Sequence, residues 1–337
     1  MDRQTQQFPT HPAISESEVL NYARHDVFTD SDHLGAAVRR ADLELMQQGC
    51  GRFRGDLSVA ALGDTMVQFI HMNQTSISRA ANAPGQLGLL IQLAGAQACL
   101  WNGYESQGSS VITYAPGHEH FGTEPKEFSC AFLSIPMERI ELLLERCHGA
   151  VVGRVRTGCH QIQAPVLGFC EIQKRLVQLQ TLIDSKPTLL TYAAIRQMFE
   201  HSLEESILSL IYTAGQHLAC QDSTDRQSSG SIIRQTEQFL ESHPVQPSHL
   251  IQLCSAIGVS PERLRRAFRE ILNVDAKHYL RMYRLRCVRR ILLASDPSTI
   301  SIELLARHWG FWSRLQFEAE YRRMFAELPI QTLVRAS

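Results

Sequence analysis

Residues 248–272, SHLIQLCSAIGVSPERLRRAFREIL, restrict what the chain can fold into more than any other stretch. Leu250, Leu253, Cys254 and Ile257 fall at i, i+3, i+4 and i+7, the spacing of one buried stripe on a helix. Gly258 ends that helix, because a residue without Cβ takes the left-handed turn conformation at no steric cost. Ser260 offers an oxygen to the orphan amides of a second helix, and Pro261 suits its first turn. In that second helix Leu264 and Phe268 lie four apart on the inner side, leaving Glu262, Arg263, Arg265, Arg266 and Arg269 outside. The stretch predicts a helix-turn-helix unit with a cation-rich second helix.

A second unit of the same kind follows at a distance. The run AKHYLRMYRLRCVRRILLAS, residues 276–295, carries an apolar stripe from Tyr279 to Leu292 beside Arg281, Arg284, Arg286, Arg289 and Arg290. At ~1.5 Å per residue such a helix spans roughly 30 Å, close to the ~34 Å of one DNA turn. Beyond it Ser301 can cap a helix with Glu303 in its first turn, Ile300 and Leu305 can form a hydrophobic staple, and Leu304 and Trp309 add apolar surface. Gly310 and Phe311 make a turn, and Ser313 can cap a last helix with Phe317, Tyr321 and Met324 inward. Its outward positions include Arg314, Leu315, Gln316 and Glu318.

These segments resemble the C-terminal DNA-binding domain of AraC/XylS-type regulators. The resemblance rests on I-G-V-S-x-x-x-L-x-R-x-F-R in the first unit and Y-L-x-x-x-R-L in the connector. It extends through I-S-x-x-x-x-A-x-x-x-G-F and F-x-x-x-Y-R-x-x-F-x-x-x-P in the second unit. The likeness implies that two recognition helices enter successive major grooves, with base contacts from Glu262, Arg265 and Arg266, and from Arg314, Leu315 and Gln316. With Arg263, Arg269, Ser313 and Glu318, these form the candidate DNA-binding set. The sequence departs from the family pattern at Asn273 and Ala276, which replace the usual Gly and Pro, and at Ala326, which replaces a Gly. Ala319 stands where Arg or Lys is common, so the second unit is expected to read DNA less strongly.

Charge is distributed accordingly. Of the 33 Lys and Arg and 34 Asp and Glu, 16 and 10 fall in residues 231–337, a net of +6 that leaves −7 for residues 1–230. An acidic part is thus joined to a basic part, and only the basic one is suited to a polyanion. The stretch QDSTDRQSSG, residues 221–230, has no apolar residue and reads as a flexible linker. The expected organisation is α+β. A sensing or dimerisation domain spans 1–220, with a β-rich, barrel-like part at 41–135 and a helical part at 136–220. An all-α domain with two helix-turn-helix units spans 231–337.

Seven short apolar segments support the β-rich part: ADLELMQQ, DLSVAALG, DTMVQFIHM, LGLLIQLAG, AQACLWN, SSVITYAPG and FSCAFLSI. Gly, Asn and Pro punctuate them, which favours an antiparallel barrel or sandwich. From Pro136 the period becomes helical: Ile140, Leu143, Leu144 and Cys147 share one face, and two longer stretches cover about 165–184 and 190–219. The latter carry Leu176, Leu179 and Ile183, then Ile195, Met198, Phe199, Leu208 and Ile211, and predict a helical pair packed on the barrel or forming a dimer seam.

With 44% hydrophobic and 20% charged residues the 337-residue chain is ordinary for a globular protein, and it has no apolar run of membrane-spanning length. The polar start MDRQTQQFPTHPAISES lacks a secretory signal, and nine scattered cysteines with no C-x-x-C suggest reduced thiols. A cytoplasmic protein is expected. One cluster, His118, His120 and Glu124 in PGHEHFGTE, is similar to a fragment of the metal-binding cupin pattern. It supplies the alternative of a cupin-like metal-dependent enzyme fused to a DNA-binding domain. No phosphate loop or nucleophile elbow supports other catalysis. The leading expectation is a non-enzymatic, cofactor-free transcription activator controlled by a small-molecule or protein signal. It would act as a homodimer on double-stranded DNA and recruit RNA polymerase.

Overall fold

The computed structural model describes residues 22–94, 98–106, 108–144, 156–214, 224–243 and 249–335. Among these residues twelve strands form two antiparallel sheets. A seven-stranded sheet runs in the order β1 (Ala23–Phe28), β3 (Gly55–Leu62), β4 (Thr65–Met72), β11 (Phe128–Pro136), β6 (Gln86–Ala94), β9 (Ser110–Tyr114), β12 (Cys159–Gln163). A five-stranded sheet runs β2 (Ala41–Gln47), β5 (Ser76–Asn82), β10 (Glu119–Glu124), β7 (Leu100–Trp101), β8 (Tyr104–Glu105). Neither sheet closes on itself among the described strands.

Strand alternation explains the layering, since successive side chains point to opposite faces. One face of the larger sheet, with Val67, Phe69, Leu87, Leu89, Leu133 and Ile135, packs on helices α3 (Val166–Ser185) and α4 (Ala193–Ala214). Its other face, with Leu57, Ile70, Met72, Tyr114 and Phe132, meets Leu45 and Trp101 of the smaller sheet. Two shorter helices, α1 (Ser31–Ala37) and α2 (Met137–Leu144), flank the sheets. The outer face of the smaller sheet contributes Met46, Ile77 and Phe121 to the core of the helical C-terminal part. The chain is thus stacked as helices, sheet, sheet, helices, with three apolar cores between the layers.

That C-terminal part comprises α5 (Thr224–Ser242), α6 (Leu250–Ile257), α7 (Pro261–Leu272), α8 (Ala276–Leu293), α9 (Ile302–His308), α10 (Arg314–Phe325) and α11 (Pro329–Arg335). Among the described residues no helix is long and apolar enough to cross a membrane.

Several expectations need correction. Residues 224–230 are not a linker but the first turns of α5. Farther along this helix Ile232, Ile233, Thr236 and Leu240 are buried against the C-terminal core, and they carry the polar turns with them. Ser229 and Ser228 then bond to Glu270 and Arg263 of α7 at 2.6 and 2.8 Å. Residues 221–223 lie outside the described residues, as do Cys147, Cys220 and the polar start. Strands β1, β5, β8, β10 and β12 lie outside the seven predicted segments. Their sequences, such as SISRAAN and EHFGTE, are polar enough to read as loops, and they are strands because neighbouring strands pair with them. Pro136 ends β11, and the helix begins at Met137. On α4 the buried stripe is Leu203, Ile207 and Leu210, while Met198 is 58% exposed. In the second unit Leu304 also faces outward.

Asn273 and Ala326, the two places where the resemblance leads one to expect glycine, show the strain that glycine avoids. Asn273 and Ala326 end α7 and α10 with φ of 51° and 55°. Asn tolerates this left-handed region better than other L-residues, whereas Ala does not. Ala326→Gly is therefore expected to stabilise the chain by about 1 kcal/mol. A rise in thermal midpoint checks this; a fall would mean that Ala326 is unstrained.

Candidate nucleic-acid interface

Both helix-turn-helix units form, through the signals read from the sequence. Gly258 ends α6 in the left-handed conformation, φ 71° and ψ 30°. The Ser260, Ser301 and Ser313 hydroxyls accept from the backbone amides of Arg263, Leu304 and Gln316 and so start α7, α9 and α10. Leu264, Ala267, Phe268, Ile271 and Leu272 of α7 are buried, as are Phe317, Tyr321 and Met324 of α10. Helix α8, 18 residues and thus about 27 Å long, joins the units.

On α7 the side chains of Glu262, Arg263, Arg266 and Arg269 are exposed and Arg265 is half-buried. Arg266 and Arg269 are only loosely paired, at 3.7 Å from Glu270 and 3.6 Å from Asp275. This face is therefore cationic and available to phosphates and base edges. The α10 face is different. Arg314, Leu315 and Gln316 are exposed, but Arg314 is held by Glu318 at 2.8 Å. The Ser313 hydroxyl is occupied in capping. Trp312, 82% exposed beside the first turn of α10, was missed from the sequence, where an aromatic next to Phe311 reads as core. Its exposure next to a capped helix start adds an aromatic surface to the α10 face.

The connector arginines divide into two sets. Arg290 is exposed, Arg281 pairs with Glu320, and Arg284 is half-buried and donates to the Leu280 carbonyl at 3.2 Å. Arg286 and Arg289 instead reach the N-terminal part. Arg286 bonds Asp32 at 2.7 Å and Glu44 at 3.2 Å, and Arg289 bonds Asp30 at 2.8 Å and also meets Glu327. Burial disfavours the Asp30 carboxylate, but the hydrogen bond and charge of Arg289 outweigh that and hold its pKa below the ordinary value. Glu119, half-buried and bonded to Arg79 and to Arg234 of α5, is lowered for the same reason.

Further bonds tie the smaller sheet to the helices. The Gln47 side chain and the Gly51 amide donate to the Met324 carbonyl at 2.9 and 3.1 Å, and the Thr123 hydroxyl donates to the Leu272 carbonyl at 3.0 Å. Gly103, at φ 79°, lets the β7–β8 turn approach α7, where a Cβ would sit 2.4 Å from the Glu270 carbonyl oxygen. The docked sheet thus touches the C-terminal end of α7 and leaves its cationic N-terminal half open.

A pH dependence follows. A carboxylate with a lowered pKa contributes stability above its unfolded value and loses it as pH falls through the lower, folded value. The docking should accordingly be intact at pH 5 and weaken only as pH falls below the ordinary values of 4.5 for Glu119 and 3.8 for Asp30. Small-angle scattering from pH 7 to 3 checks this, and an expansion already complete at pH 5 would contradict it.

The three residues of the cupin-like fragment are not brought together. His118 is exposed and precedes β10, whereas His120 and Glu124 are buried, 5% and 2% exposed. No group of three or more His, Cys, Asp or Glu with metal-binding geometry occurs among the described residues. His120 and Glu124 instead point between the sheets. His120 stacks on Tyr114 with centroids 3.9 Å apart, and Ser78 donates to Glu124 at 2.5 Å. Burial keeps His120 neutral, with its pKa pushed down to about 3, and raises the Glu124 carboxyl to about 7.

Comparison with known proteins agrees with this reading of the C-terminal part. A helix-turn-helix domain family matches residues 253–335. The chain is 30% identical over 102 residues to a probable thc operon regulatory protein of Rhodococcus erythropolis, covering 30% of this chain and 31% of that protein. It is 32% identical over 98 residues to XylDLEGF operon transcriptional activator 3 of Pseudomonas putida, covering 29% and 30%. The chain thus spans about a third of the length of these curated relatives. Among solved structures, the AraC-like transcriptional activator CuxR aligns over 73% of this chain and 86% of its own, at 12% identity and a TM-score of 0.38. Residues 253–335, with their two capped helix pairs on one connector, are a helix-turn-helix domain similar in sequence to part of these operon regulators.

Proposed function

We propose that the protein is a sequence-specific DNA-binding transcription regulator, acting as an activator under the control of its N-terminal sheet domain. The observation that carries this is the exposed, loosely paired arginine face of α7, repeated in weaker form by α10 at the other end of a helix about 27 Å long. Glu262, Arg263, Arg265, Arg266 and Arg269 would contact one major groove, and Arg314, Leu315, Gln316 and Trp312 the next. Ser313 would serve through its cap, and Glu318 by orienting Arg314. Residues 22–214 would form the sensing and dimerisation part, with the facing sheets as a barrel-like container and the exposed Leu167 and Val177 of α3 as part of a homodimer seam. RNA polymerase would be the partner at promoters, in the cytoplasm.

Genome-wide mapping of bound sites tests the proposal. The expected result is a common sequence motif upstream of a small set of genes, and uniform, sequence-independent occupancy would refute it. A second result is expected from Arg290, exposed on the connector. Arg290→Ala should weaken binding to all duplexes alike and lower the salt slope of log affinity by about 1. Titrations at several salt concentrations measure this; an unchanged slope would remove Arg290 from the phosphate contacts.

A further inference from the structure

Between the two sheets lies a cavity of about 50 Å³, room for only a few non-hydrogen atoms. Its walls are almost wholly apolar, and no Lys or Arg lines it. Four of its lining residues nevertheless carry a buried polar atom without a partner among the described residues: Asn82 Oδ1, Tyr114 Oη, His120 Nδ1 and Glu124 Oε2. Each belongs to a side chain no more than 5% exposed. A buried polar atom left unsatisfied is costly, so four in one place call for an occupant.

All four atoms can accept a hydrogen bond. Asn82 Oδ1 accepts hydrogen bonds, and its amide nitrogen is already committed to the Tyr114 carbonyl at 2.8 Å. Glu124 Oε2 accepts when the carboxyl is ionised, His120 Nδ1 accepts when the ring proton sits on Nε2, and the Tyr114 hydroxyl has lone pairs to offer. An occupant that brings several donors therefore satisfies them together. Trp101, Tyr114 and Phe132 surround the same space, with ring centroids 6.3 Å apart for Trp101 and Tyr114 and 6.4 Å for Tyr114 and Phe132. Aromatic faces and one carboxylate attract a cation and repel an anion. We propose that this cavity binds a small organic ammonium ion of about two to four non-hydrogen atoms. Its N–H groups would donate to Glu124 and its neighbours, and its alkyl part would rest on the aromatic rings.

The position of the site gives the ligand a route to DNA. Along β10 the side chains alternate. His120 and Glu124 face the cavity, while Glu119 bonds Arg234 of α5, Phe121 enters the helical core and Thr123 bonds the last residue of α7. An ion held by the inner face thus loads the strand whose outer face holds the cationic helix. This consequence rests on the regulator reading, whereas binding itself does not.

The test uses the full chain. Ethylammonium chloride at 10 mM, against sodium chloride at equal ionic strength, should raise the thermal midpoint by about 3 °C if the site binds with millimolar affinity. Ethanol and acetate, of similar size but neutral or anionic, should not. Glu124→Gln keeps the shape and an acceptor for Ser78 and should remove the shift. Ala80→Leu, which fills the cavity from β5, should remove it independently should the first variant fold poorly. An equal shift from ethanol or acetate, persistence in both variants, or no shift in the wild type would overturn the site, the last meaning that water alone occupies it. Affinity for the mapped DNA fragments is then measured with and without ethylammonium. A midpoint shift with unchanged DNA affinity would uphold the site and count against its regulatory role.

Discussion

Arg289→Ala is expected to lower the stability of the chain by about 3 kcal/mol, the lower end of the range for breaking a buried ion pair from one side. Arg289, Asp30 and Glu327 are 6%, 5% and 7% exposed, so removing the guanidinium leaves carboxylates away from water. Glu327 keeps Arg335 at 2.9 Å, and the stranded charge is mainly that of Asp30. The matched control is Arg281→Ala. Its pair with Glu320 is 44% and 22% exposed, and such surface pairs contribute less than about 1 kcal/mol. Denaturant unfolding of the two variants separates them, and equal losses would show that the Arg289 cluster is not a buried clamp. Arg289→Ala also removes a bond between the sheet domain and α8, so the scattering profile should expand for this variant and not for Arg281→Ala.

Reversing charge at Arg265 and Arg266 together is expected to reduce affinity for mapped sites by 100-fold or more, at roughly 10- to 100-fold per base-reading arginine. The fold should be unaffected. Arg266 is exposed with a loose 3.7 Å pair, and such surface changes usually alter stability by no more than about 0.5 kcal/mol. Arg314→Glu should cost less, because Glu318 already binds that guanidinium at 2.8 Å. Fluorescence anisotropy with one mapped fragment measures all three proteins. Undiminished affinity in the double variant would place the base-reading surface elsewhere, and a greater loss from Arg314→Glu would reverse the ranking of the two helices.

The candidate site was largely legible because its determinants are local. Gly258, Ser260, Ser301 and Ser313 act on backbone within four residues of themselves, and the stripe through Leu264 and Phe268 is a property of one helix. Trp312 was not legible, since periodicity cannot tell an exposed aromatic from a buried one at a turn. Polarity alone reads 221–230 as a linker, yet residues 224–230 belong to a helix anchored by Ile232, Ile233 and Leu240 farther along. The metal fragment failed on geometry: His118 lies before the strand and faces solvent, while its neighbours turn inward.

What the sequence determined by itself is therefore the C-terminal domain: two capped helix pairs, their spacing, and the arginines on α7. These follow from short-range sterics and hydrogen bonding. Tertiary structure alone decided which arginines remain available to DNA. In sequence Arg284, Arg286, Arg289 and Arg290 are one basic stripe, yet Arg286 and Arg289 are consumed by Asp30, Asp32 and Glu44, more than 240 residues away in the chain. It also decided that β10 serves a cavity with one face and the helices with the other. Strand alternation fixes that residues 119 to 124 take opposite sides, but which layer lies on each side depends on sheet order and stacking, and so on contacts distant in sequence.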